Sequence, residues 1–100
     1  MDFRVIVSPE AWSDLRDIKR YISRDSALAA ERFGQKLFSK HKIIKSHPEI
    51  GRVVPEASNT GVREIIVGNY RIMYRVNISK KQIRILRYWH AARGTPNVHF

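Results

Sequence analysis

The side chains best equipped for chemistry crowd into the last third of the chain. Residues 65–100 hold seven Lys and Arg and no acid, while all nine acids lie in residues 1–64. Within that segment Arg71, Arg75 and Arg84 could contact phosphate oxygens, Tyr88 could stack on a base, and His90 adds a titratable ring. On one surface, these five residues would suit RNA. The simpler reading of arginines on a sheet is that they keep it soluble and deter edge pairing. It is their clustering that favours a binding surface.

Sharing a surface requires strands in register. Val62–Val67 and Tyr70–Val76 flank Gly68-Asn69, a pair suited to a two-residue hairpin turn, and Asn77–Lys81 leads into a further strand at Gln82–His90. Side chains alternate along a strand, so Tyr70, Ile72, Tyr74 and Val76 should share the core face, leaving Arg71, Met73 and Arg75 outside. In the last strand Ile83 and Ile85 are the natural core pair. That parity turns Arg84, Leu86, Tyr88 and His90 outward with the arginines.

The outward set needs a helical layer behind the sheet. Residues 3–7 (FRVIV) read as a first strand, and Ser8-Pro9-Glu10 offers an N-cap, a proline at the first helical position and an early acid. Ala11, Leu15, Ile18 and Ile22 make an apolar stripe on a helix running to about Ser23. After Arg24-Asp25-Ser26, where Asp25 or Ser26 can cap, Ala30, Phe33, Leu37 and Ile44 set a second stripe. Pro48 ends it, and residues 48–61 read as an irregular connection. The expected fold is α+β, a single domain over residues 1–100: an N-terminal strand, an antiparallel helical hairpin, then a three-stranded antiparallel meander forming a twisted sheet.

Composition narrows the class. A formal charge of +10 draws the chain toward phosphate backbones or acidic protein surfaces. No apolar run approaches the roughly 18 residues of a membrane span, and the N-terminus lacks the features of an export signal. Without cysteine there is no disulfide framework or thiolate metal site, consistent with the cytoplasm. His41 and His47 stand six apart with no carboxylate to complete a ligand set, so they read as surface histidines, and neither metal nor cofactor is expected. Walker-type loops, dinucleotide fingerprints and serine-nucleophile elbows are absent from the sequence.

The segments GRVVPE, VREIIVGNYRIMYRV and IRILRYWHAAR, in this order after a helical hairpin, resemble the RelE/ParE superfamily of type II toxin–antitoxin toxins. The most telling parts are Y-R-I-x-Y at Tyr70–Tyr74 and H-x-x-R at His90–Arg93. The resemblance covers nearly the whole chain. It implies a helical hairpin on a twisted antiparallel sheet and a cognate antitoxin that masks the working surface and sets the oligomeric state.

Two activities occur in that superfamily: some members cut messenger RNA on the ribosome without metal, whereas ParE-type members bind DNA gyrase. For a nuclease the resemblance places Arg71 on the scissile phosphate, Arg93 as a second charge stabiliser and His90 as acid or base. Glu56 and His99 are further candidates. Arg63, Arg75, Arg84 and Tyr88 would contact target or nucleic acid. RelE-type nucleases carry two lysines on the strand before the hairpin, whereas this chain has Arg63 and then Ile65. The motifs therefore read as ParE-like, a growth inhibitor directed at DNA gyrase. The alternative is a metal-independent, ribosome-dependent messenger endoribonuclease, with a non-toxic nucleic-acid-binding module as a third reading.

Overall fold

The computed structural model describes residues 2–55 and 60–93. Its element order is β1 (Arg4–Val7), α1 (Pro9–Ser23), α2 (Ala27–Ser46), a 3-10 turn (Pro48–Ile50), β2 (Arg52–Val53), β3 (Val62–Val67), β4 (Tyr70–Asn77), β5 (Gln82–His90) and a closing 3-10 turn (Ala91–Arg93). The five strands form one sheet in the order β1-β5-β4-β3-β2. The expected α+β arrangement is present. The structure adds β2, which pairs antiparallel with β3 inside the stretch read as irregular.

Both helices start where their sequences supply caps. The Ser8 hydroxyl accepts the Ala11 N–H at 3.1 Å with Pro9 in the first turn, and Ser26 does the same for Ala29 at 3.0 Å. Their apolar stripes converge: Ala11 and Ile18 of α1 and Phe33, Leu37 and Ile44 of α2 are buried together against Ile72, Tyr74, Ile83 and Ile85 of the sheet. Burying each of the Ile, Leu and Phe side chains in this set contributes roughly 1.5–3 kcal/mol.

The hairpin turn falls at Gly68-Asn69, with Val67 opposite Tyr70. Of these two residues only Gly68 takes a left-handed backbone (φ 58°), as in turns whose first central residue is glycine. The N-terminal strand lies parallel to the last one, Val5 opposite Ile83 and Val7 opposite Ile85.

Between Met73 and Tyr74 the β4–β5 register shifts: Tyr74 faces Ile85 while Met73 faces Arg87, leaving Leu86 as the extra residue of a bulge. Beyond it the faces of β5 exchange. Ile83, Ile85 and Tyr88 all enter the helix-side core, and Leu86 joins Val54, Val62 and Met73 in a smaller cluster on the outer side, with Trp89 packed on it. The expected outward placement of Tyr88 and His90 is therefore overturned, because uninterrupted alternation fails where one residue is inserted.

Tyr74 anchors the connection after α2. Its buried hydroxyl donates to the Pro48 carbonyl at 2.7 Å and accepts the Gly51 N–H at 2.8 Å. Gly51 sits so close that an added Cβ would lie 2.5 Å from that hydroxyl and 2.8 Å from the Glu64 carbonyl. Tyr74→Phe leaves both backbone groups without this partner and should lower stability by about 1–3 kcal/mol, measured by urea unfolding.

Candidate functional site

The register arranges the outer face of the sheet in rows. One row runs Ile6, Arg84, Arg75 and Val62 across β1, β5, β4 and β3, with Arg75 and Arg84 directly opposed and both exposed. Glu64 stands opposite Met73, so Arg71, two residues earlier on β4, is its diagonal neighbour on the same face.

Arg71 and Glu64 form a buried ion pair. Arg71 Nε donates to Glu64 Oε1 at 2.6 Å, and the side chains are 8% and 1% exposed. The other carboxylate oxygen accepts from Arg52 Nε at 2.6 Å. Such a pair tolerates burial because its charges and hydrogen bonds answer one another, and removing one partner strands the other. The residue assigned by motif to a scissile phosphate is thus committed to a carboxylate within its own sheet.

His90 lies on the opposite side. It pairs in register with Tyr70, their rings meeting edge to face at 5.2 Å, and its Nδ1 accepts the Ala92 N–H at 3.2 Å. Arg71, next after Tyr70 on its strand, points the other way. Arg93 contributes backbone to the closing turn, while Glu56 and His99 lie outside the described residues. Arg63 faces the helix side and donates to the carbonyls of Glu49 (3.2 Å) and Gly51 (2.7 Å), clamping the connection before β2. Of the sequence-derived surface, only Arg75 and Arg84 remain exposed together.

Tyr88 is 2% exposed and bonds through its hydroxyl to His41 Nε2 of α2 at 2.9 Å, the two rings stacked at 5.8 Å. Burial pushes the phenol pKa well up, chiefly by desolvation with the Asp14 charge adding to it, so Tyr88 keeps its proton. Desolvation lowers the His41 pKa, favouring the neutral ring that accepts that proton. His41 is consequently no surface histidine. Its pair borders a groove of about 580 Å3 between the helices, where Trp12 and Phe38 are more than half exposed. Among the described residues no group of three or more His, Asp or Glu could hold a metal ion.

Asp14 also escaped the sequence reading. Its carboxylate accepts from Arg87 Nε and Nη2 at 2.6 and 2.8 Å, and from the Tyr88 backbone N–H at 3.1 Å. It joins α1 to the stretch of β5 just past the bulge.

The family model of the ParE toxin of the type II toxin–antitoxin system parDE matches residues 5–94. This chain belongs to that family. Among solved structures, the toxin's fold is similar to a chain of the chromosomal ParDE system of P. aeruginosa (22% identity, 88% of this chain and 95% of that one, TM-score 0.71). It is also similar to a chain of the RelBE2 toxin–antitoxin complex of Mycobacterium tuberculosis (21%, 90% and 99%, TM-score 0.61) and to one of the archaeal RelE–RelB complex of Pyrococcus horikoshii (21%, 94% and 100%, TM-score 0.55). No curated protein matches the toxin significantly. Among the described residues no helix is long and apolar enough to cross a membrane.

Two outcomes follow for the toxin. Glu64→Gln should cost about 3–5 kcal/mol in urea unfolding by leaving Arg71 buried beside a neutral amide, whereas the double change Glu64→Leu/Arg71→Met should recover most of that loss. Acid should weaken the fold through His41. As pH falls below about 6.5 the unfolded chain gains a proton there before the folded chain does, so stability falls until the lowered folded pKa is reached, then levels off. Unfolding curves at pH 7.5, 6 and 5 should show this decline in the parent and a shallower one in His41→Gln.

Proposed function

We propose that this toxin arrests growth by binding its target rather than by cutting RNA, and that the target is DNA gyrase. The observation that carries the reading is the separation of two of the nuclease candidates, Arg71 and His90. Metal-free RNA cleavage needs an acid or base beside the cations that meet the phosphate. Here Arg71 is engaged by Glu64 on the outer face and His90 packs on Tyr70 on the helix side. The ParE family model and the ParE-like motifs favour gyrase as the target.

A cognate antitoxin would hold the toxin in check in the cytoplasm. The structural neighbours come from toxin–antitoxin systems, and the exposed Trp12 and Phe38 flank a groove that an amphipathic antitoxin segment could cover.

Supercoiling by purified gyrase and primer extension on ribosome-bound messenger, run on one toxin preparation, separate the activities. Supercoiling should be inhibited with the messenger intact, and His90→Gln should inhibit within about twofold of the parent, because the exchange removes the titratable ring without touching the outer face. Cleaved messenger with normal supercoiling would replace this reading with the ribonuclease one.

A further inference from the structure

The end of the outer face nearest the β4–β5 turn collects cations without carboxylate partners. Arg75 and Arg84 oppose one another directly, which sets their Cβ atoms roughly 5 Å apart, and like charges so placed repel. Arg4 stands on the same face of β1, opposite Gln82. All three are exposed, and among the described residues none forms an ion pair. Glu64, an acid of this face, is already bonded to Arg71 and Arg52.

Neutral donors lie beside these cations. Asn77 stands opposite Gln82, and its Oδ1 accepts from Ser79 Oγ (2.9 Å) and Lys80 N (3.1 Å), leaving the amide N–H groups to donate elsewhere. Arg75, Arg84, Asn77 and Gln82 line a shallow depression of about 570 Å3. Two arginines with flanking amides suit phosphate oxygens, which accept from several donors at once.

Charge selects an anion, and the surroundings select its kind. Tyr70, Tyr74, Tyr88 and His90 all lie on the helix side, and the Trp89 ring is covered by Arg87 at 4.7 Å, so among the described residues this face offers no free ring on which a single strand could stack. Among the described residues Ile78 is the one exposed apolar side chain bordering the depression, short of the aromatic and aliphatic anchors that protein interfaces rely on. Phosphates on a double helix need neither.

We propose that Arg75 and Arg84, with Arg4, Asn77 and Gln82, form a sequence-independent binding site for the phosphodiester backbone of duplex DNA. The choice of DNA over an RNA duplex rests on the gyrase reading; the phosphate site does not. Each cation that meets a phosphate releases counterions, so binding must weaken with salt in proportion to the contacts made.

The test is fluorescence anisotropy of the full chain with a labelled DNA duplex of about 20 base pairs, without gyrase, between about 50 and 200 mM salt. Arg75→Gln/Arg84→Gln should weaken binding at least about tenfold at the lower salt and reduce the slope of log affinity against log salt by about two. Removing two charges elsewhere, by Arg16→Gln/Arg20→Gln on exposed positions of α1, should leave most of the affinity. Circular dichroism confirms that both variants fold, as expected for the sheet variant because it relieves a like-charge pair. Equal losses in the two variants would reduce the effect to net charge and overturn the site, as would unchanged affinity in the sheet variant. An RNA duplex held more tightly than DNA, or polyglutamate held equally tightly through the same arginines, would overturn the assignment to DNA. Gyrase supercoiling is measured separately, so its outcome bears on the target and leaves the binding result standing.

Discussion

The extra residue at Leu86 is the constraint on which the arrangement of this toxin depends. A strand inserted into a sheet by one residue presents opposite faces before and after the insertion. Upstream of Leu86, Ile83 and Ile85 enter the core and Arg84 is exposed; downstream, Tyr88 enters the core and Trp89 packs outside. The bulge is held from a single element. Ser8 donates its N–H to the Ile85 carbonyl and its hydroxyl to the Leu86 carbonyl at 3.0 Å each, while Asp14 accepts the Tyr88 N–H. β1 ends at Val7, so the start of α1 takes over as hydrogen-bonding partner where the parallel strand stops. The Ser8 oxygen caps the helix and bonds the bulge together, coupling the entry of α1 to the register of β5.

That arrangement divides the polar chemistry between two faces. On the helix side the Tyr88–His41 pair is neutral, a tyrosine held protonated beside a histidine held uncharged. On the outer side it is ionic, with Glu64 shared by a buried and an exposed arginine. Both solutions obey one rule, since a buried polar group is costly unless its partner answers its charge or its proton. Arg71 and Arg75 lie on the same strand face four residues apart, yet of the two only Arg71 has a carboxylate within reach. An arginine that a motif marks as reactive can thus be a structural element, and its neighbour the free cation.

Much of the architecture was legible in the sequence because its determinants are local. Serine caps, a proline at the first helical turn and 3.6-residue apolar stripes set both helices, and Gly68 set the hairpin turn. The Glu64–Arg71 pair was also within reach: a turn at Gly68-Asn69 places Val67 opposite Tyr70, hence Glu64 opposite Met73 with Arg71 diagonal to it. The bulge left no comparable mark. IRILRYWH contains neither glycine nor proline at the insertion, and leucine suits either face. Asp14 and Ser8 meet β5 across more than 70 residues of chain, contacts that no local pattern encodes.

The acid-free C-terminal segment looks different once the faces are known. Its charge excess suggested one continuous basic surface, but three of its arginines have distinct surroundings. Arg71 is neutralised by an acid from the preceding strand, Arg87 is bonded to Asp14 of α1, and Arg84 is exposed beside Arg75. Acids from outside the segment therefore quench its cations near the bulge and leave those near the β4–β5 turn. Net charge counted along a chain predicts where a field could arise; where it survives is set by which carboxylates the fold delivers. In this toxin the surviving field lies about as far along β4 and β5 from His90 as the strands allow, since Tyr70 and His90 close one end of that ladder and Asn77 and Gln82 the other.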